Sequence, residues 1–334
     1  MKTTSLKLFA LAMLGILCMS SCTTDDDQTI SLIDDFNPPA EITLSFTQET
    51  EEDQIGQFAK NAMVEYDGSV WAVGGHVGFG PPYFTDTSEV WRSDNGAAWI
   101  SVSSGQFPAR SGHTLNVIDG KMIMIGGINN DTGETYSDIW SSTDGLTWVL
   151  ESEAAPFGDV FYHTVTQFSG RWYLIASNSV YSSTNGVDWT FEASTNFAAS
   201  NYQKTVVLNN TLYVLGGLTT TNMRVNEIWG STDGISWEQI TPSGDVFTPR
   251  INHTVTAYNG KAFIIGGRSG TTIYREIFYS ENMETWTSYP LDPDPGDSGL
   301  YSHSTLLYED ALWIFGGYNE TQASSAIISI QEID

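Results

Sequence analysis

The stretch HTLNVIDGKMIMIGG, residues 113–127, decides the fold, because its pattern recurs six times along the chain. The other copies are NAMVEYDGSVWAVGG (61–75), HTVTQFSGRWYLIAS (163–177), QKTVVLNNTLYVLGG (203–217), HTVTAYNGKAFIIGG (253–267) and HSTLLYEDALWIFGG (303–317). Each copy reads as a strand, a two-residue turn and a second strand. The turns are Asp67-Gly68, Asp119-Gly120, Ser169-Gly170, Asn209-Asn210, Asn259-Gly260 and Glu309-Asp310. Most of these residue types tolerate the positive φ that a tight hairpin demands. The second strand is apolar at nearly every position, which suits burial on both faces. It ends in a glycine doublet, replaced once by Ala176-Ser177, and the doublet positions lie 40 to 52 residues apart.

Beyond each doublet comes a strand with an aromatic (Trp91, Trp140, Tyr181, Trp229 or Phe278). A turn of the form Ser-x-Asp/Asn-Gly-x-x-Trp then leads to a fourth strand. It is clearest at Asp144-Gly145 to Trp148, Asn185-Gly186 to Trp189 and Asp233-Gly234 to Trp237; Asn95-Gly96 to Trp99 matches closely and Asn282-Met283 to Trp286 is degenerate. A lone sheet of this kind exposes two apolar faces, and packing six of them around an axis buries both. The expected fold is therefore all-β, a six-bladed β-propeller of four-stranded antiparallel blades. The sixth unit ends after its third strand, so an edge would stay open. Ile42 to Phe46 alternates like a strand, and Phe46 precedes Asn61 by the interval that separates Trp148 from His163. Residues 41–47 are expected to close the ring as the outermost strand of the last blade.

The doublets, the later aromatic and Trp, and the segments Pro108-Ala109-Arg110-Ser111-Gly112-His113 and Pro249-Arg250-Ile251-Asn252-His253 resemble the kelch family over about residues 41–334. That resemblance implies a propeller and leaves the ligand open. The Asp-Gly turn also resembles the Asp-box of sialidase propellers but is one residue shorter.

The N-terminus resembles that of a bacterial lipoprotein. Lys2 and Lys7 precede an apolar run from Leu8 to Met19, too short to span a bilayer, and Met19-Ser20-Ser21-Cys22 is similar to a lipobox. The resemblance implies cleavage after residue 21, lipidation of Cys22 and an outer-membrane location. The acidic run Asp25-Asp26-Asp27 resembles a surface-export signal, and residues 22–40 read as a tether. Cys18 and Cys22 are the only cysteines, so no disulfide is expected in the propeller. The chain holds 13 basic and 40 acidic residues; loss of Lys2 and Lys7 would leave 11 against 40. Nucleic acid is a poor partner for such a surface.

Candidate sites fall into three groups. The position 13 residues before each doublet reads Asn61, His113, His163, Gln203, His253, His303, a ring at one mouth of the central channel. It suits either a metal site or a repeated structural hydrogen bond, and the second is the simpler reading. Strand direction puts all long loops on that same face, where function usually sits. They carry His76, Tyr83, Arg110, Tyr136, Tyr162, Tyr202, Arg224, Arg250, Arg268, Tyr274, Tyr301 and Tyr318. Exposed aromatics beside arginines suit sugar rings or a protein partner. Asp292, Asp294 and Asp297 offer calcium-type oxygens, although prolines restrict their loop and a solvated turn is simpler.

No cofactor is expected. Galactose oxidase resembles this fold but needs a Tyr–Cys crosslink, and no cysteine is available for it. The expectation is a monomeric cell-surface binding module for a glycan or protein. One alternative is a carbohydrate-active enzyme such as a sialic acid mutarotase or epimerase, since a six-bladed kelch mutarotase family resembles this chain. There Arg110 or Arg250 would hold a carboxylate. The other alternative is an accessory subunit of an outer-membrane complex.

Overall fold

The computed structural model describes residues 42–50, 58–78, 84–290, 300–318, 324 and 326–333. Within them the chain is all-β and forms six blades. Blade 2 shows the plan: Thr114–Ile118, Lys121–Asn129, Glu134–Ser142 and Val149–Ser152 pair in sequence order, each antiparallel to the next. The innermost strands (Ala62–Tyr66, Thr114–Ile118, Thr164–Phe168, Lys204–Leu208, Thr254–Tyr258, Ser304–Tyr308) pack one against the next, and the last against the first.

All six hairpin turns between first and second strands carry positive φ at both residues, 46 to 50° at the first and 57 to 76° at the second. This is the type I′ geometry whose twist matches the flanking strands. Glu309-Asp310 adopts it without a glycine or asparagine. The second strands are deeply buried: Val70, Met122, Ile125, Leu174, Leu215, Ile264 and Leu312 have essentially no exposed surface.

Closure follows the expected route and extends further. Thr43–Thr50 pairs antiparallel with Ile327–Ile333, with Phe46 opposite Ile330. The strand thus continues three residues past the expected end; Glu41 lies outside the described residues. Ile42 and Leu44 are buried against Tyr258, Ile277 and Tyr279 of blade 5. One chain end therefore supplies both the missing sheet edge and part of an inter-blade core.

The turn before each fourth strand is a repeated hydrogen-bonded unit. In blade 2 the Ser142 hydroxyl accepts from the Gly145 N–H (2.8 Å). Asp144 Oδ1 accepts from Leu146 and Thr147 (2.9 and 2.8 Å), and Trp148 Nε1 donates to Gly145 O. Backbone donors of the same kind draw the Asp233 carboxyl down to about 2. A Cβ on Gly145 would lie 2.0 Å from Trp71 of the preceding blade, so this turn packs on its neighbour's second strand.

Candidate functional site: the channel mouth

Five of the six ring residues reach back toward the preceding blade. His113 Nε2 donates to Val73 O (3.1 Å) and Gln203 Nε2 donates to Ile175 O (3.1 Å). His163 meets the Thr114 hydroxyl at 3.3 Å, and His303 meets that of Thr254 at 3.0 Å. Asn61 Nδ2 instead donates to Gly74 O within its own blade (2.6 Å). The four ring histidines are 1 to 7% exposed. Burial drives His113, His163 and His303 down to about 3 and His253 well below its ordinary value, so all four are neutral at pH 7. Among the described residues no group of His, Cys, Asp and Glu could hold a metal ion. The ring's geometry is that of a seam between blades.

This seam explains the glycine doublet. A Cβ on Gly74 would lie 2.8 Å from the His113 imidazole, and one on Gly216 would lie 2.8 Å from that of His253. The group that approaches the doublet is the next blade's imidazole. The exception obeys the same rule. Where Ala176 breaks the doublet, the next ring residue is the slimmer Gln203, which still makes the carbonyl bond.

Most of the expected loop-face residues do not lie open. Arg110 is fully buried, with Nη1 and Nη2 donating to Asp138 (2.5 and 2.8 Å), Nη1 also to Gly126 O (2.8 Å), and Tyr136 beneath it at 4.0 Å. Arg250 repeats the arrangement with Glu276 (2.8 Å), Gly266 O (2.9 Å) and Tyr274 (4.0 Å). The Pro108–Arg110 and Pro249–Arg250 segments thus lock a loop to the doublet and the third strand, and neither guanidinium is free for a ligand carboxylate. His76 is 1% exposed; its Nε2 lies 2.9 Å from Asp86, its Nδ1 accepts from the Tyr318 hydroxyl (3.0 Å), and Phe84 stacks on it at 4.2 Å. Tyr301 and Tyr318 are also buried. Arg268 is partly buried with its guanidinium 4.9 Å from the Tyr301 ring, and Arg224 is partly buried. Tyr83, Asp292, Asp294, Asp297 and Cys22 lie outside the described residues.

Among the described members of that loop-face set, Tyr162 and Tyr202 alone line the channel, and they belong to a collar the sequence reading missed. The position just before the ring is Lys60, Gly112, Tyr162, Tyr202, Asn252, Ser302, and every one has positive φ. Backbone bonds chain its members: Tyr162 N–H to Gly112 O (2.7 Å), Tyr202 to Tyr162 (2.8 Å), Ser302 to Asn252 (2.9 Å) and Lys60 to Ser302 (2.9 Å). Their side chains rim a cavity of about 320 Å³ that continues down the channel. Tyr162 and Tyr202 stack with centroids 4.0 Å apart and planes 18° apart. Lys60 Nζ donates to the Tyr162 hydroxyl (2.6 Å), and Tyr162 lies over Gly112, where a Cβ would touch its ring. Burial, then the neighbouring Tyr162, raises the Tyr202 phenol above its ordinary value. The signal that could have found the collar is the spread of residue types at one fixed repeat position.

A family model described as the KLHDC2/KLHL20/DRC7 kelch-repeats domain matches residues 202–331. Residues 202–331 are therefore similar to a kelch-repeat domain. Kelch domain-containing protein 3 of Bos taurus is 30% identical over 125 residues, 34% of this chain and 32% of that protein. Leucine-zipper-like transcriptional regulator 1 of Mus musculus is 28% identical over 142 residues, 39% of this chain and 16% of that protein. The chain therefore spans a third or less of the length of the curated relatives it matches. The solved structure of YjhT superposes with a TM-score of 0.67 at 13% identity, covering 84% of this chain and 99% of that one, which establishes the shared propeller fold.

Proposed function

We propose that this kelch propeller is a binding module that engages a partner through its loop face, centred on the collar. Kelch propellers are typical protein-interaction modules, and that coarse role agrees with the structure. The observation that carries the finer reading is the Tyr162–Tyr202 stack beside Lys60 at the channel mouth. A paired aromatic surface with a cation on its edge suits a sugar ring or an apolar side chain of a surface protein. With both guanidinium groups sealed against carboxylates, the mutarotase alternative loses the two arginines it relied on. The N-terminal sequence supports a lipid anchor at Cys22 and display from the outer membrane. The test is a glycan array and a membrane pull-down with the full chain and its Tyr202→Ala variant. Retention of a partner by the full chain, lost in the variant, supports the reading; equal retention by both refutes it. Incorporation of labelled palmitate that survives Cys22→Ala would refute the anchor.

A further inference from the structure

The channel below the collar has an electrostatic character opposite to that of the whole chain. The sequence carries 40 acidic and 13 basic residues. Yet the described residues lining the cavity include Lys60 and Lys204 and no carboxylate. The far mouth, among the tight turns, is lined instead by Glu65, Glu309 and Asp310.

Lys204 is out of place in its repeat column. The residue after each ring position is Ala62, Thr114, Thr164, Lys204, Thr254, Ser304, so five blades place a small side chain there and one places an ammonium. It lines the channel cavity together with His163, His253 and His303, which belong to three other blades. The other described lysines have partners: Lys60 with Tyr162, Lys121 with Glu151, Lys261 with Glu281 and Glu332. Among the described residues the Lys204 ammonium has neither an ion pair nor a hydrogen bond. Desolvation pulls its pKa below the ordinary lysine value. Placing an unpaired ammonium in so confined a position is costly unless an anion joins it.

We infer that the channel is a binding site for a small oxyanion, a carboxylate or phosphate group entering from the collar side, with Lys204 as its counter-charge. Unpartnered donors for the remaining anion oxygens are present in the cavity lining, in the Asn116 amide and the Thr164 hydroxyl. The neutral imidazoles add no competing charge. A cavity of about 320 Å³ is at the small end of ligand pockets, so the group is carried by a compact molecule. The site stands apart from the macromolecular partner proposed for the loop face, because Lys204 lies below the collar and Tyr202→Ala leaves it in place.

The experiment titrates the full chain with sodium acetate and sodium phosphate against sodium chloride at matched ionic strength, by calorimetry. Lys204→Met, Lys204→Gln and Lys60→Met are compared, with circular dichroism as the check on folding. Two neutral replacements keep the test usable if one fails to fold. Saturable binding of acetate or phosphate, weakened at least tenfold by either Lys204 replacement and less by Lys60→Met, supports the site. No saturable binding of either anion, or binding unchanged in the Lys204 variants, overturns it and leaves a lysine solvated by channel water. Binding abolished by Lys60→Met alone also overturns it, since the anion would then sit on the rim.

Discussion

Four buried neutral histidines in one ring make the propeller an acid-sensitive structure. His113, His163 and His303 titrate near 3 in the folded chain against an ordinary 6.5, because burial penalises the imidazolium. A depressed folded value means that the unfolded chain binds the proton first as pH falls. The stability contribution is whole above 6.5 and drains away between 6.5 and 3. Each such histidine costs about 1.4 kcal/mol per pH unit in that window. At pH 5 that is about 2 kcal/mol per residue and about 6 kcal/mol for the three, a large share of the roughly 5–15 kcal/mol that holds a domain together. Between pH 7.5 and 5 most carboxylates stay ionised, so their titration does not mask the effect. Urea melts at pH 7.5, 6.5, 5.5 and 5.0 should show the midpoint falling steadily below pH 6.5. His163→Gln isolates one member, since Gln203 already fills a ring slot and holds its carbonyl bond. The variant should lose about 1.4 kcal/mol per pH unit of the slope. A slope unchanged by His163→Gln, or stability flat from pH 7.5 to 5, would refute the linkage.

Other perturbations test other joints. Replacing Glu309-Asp310 by Asn-Gly should raise stability by about 1 kcal/mol in thermal melts, because both residues now hold positive φ without the usual residue types. Arg110→Ala should cost about 3–5 kcal/mol by stranding Asp138, whose side chain is 12% exposed. Arg250→Ala should cost less, since Glu276 is 33% exposed and can be solvated; equal losses would argue against that account. Removing residues 42–50 should markedly lower the melting temperature, and an unchanged melt would mean that Thr43–Thr50 contributes nothing to closure.

The blade count, the six hairpin turns and the closing strand were legible because each depends on local chemistry repeated six times. Turn residues, two-sided apolar strands and the position of Phe46 are written in sequence spacing. The loop face was misread for a physical reason. Arg110 and Arg250 look like ligand-binding groups until Asp138 and Glu276, 28 and 26 residues further on, are brought beside them. His76 likewise found Tyr318 across 242 residues of chain.

By itself the sequence determined that six apolar sheets must share their faces and that the front of the chain must complete the last one. No other arrangement of those strands leaves so little apolar surface and so few open edges in water. Only the tertiary structure decided which polar groups are used up. Folding pairs Arg110, Arg250 and His76 with partners far along the chain, and it leaves Tyr162, Tyr202 and Lys204 facing the channel. A residue's neighbours across a seam, which sequence spacing does not encode, determine whether its polar group is satisfied internally or remains available to a ligand.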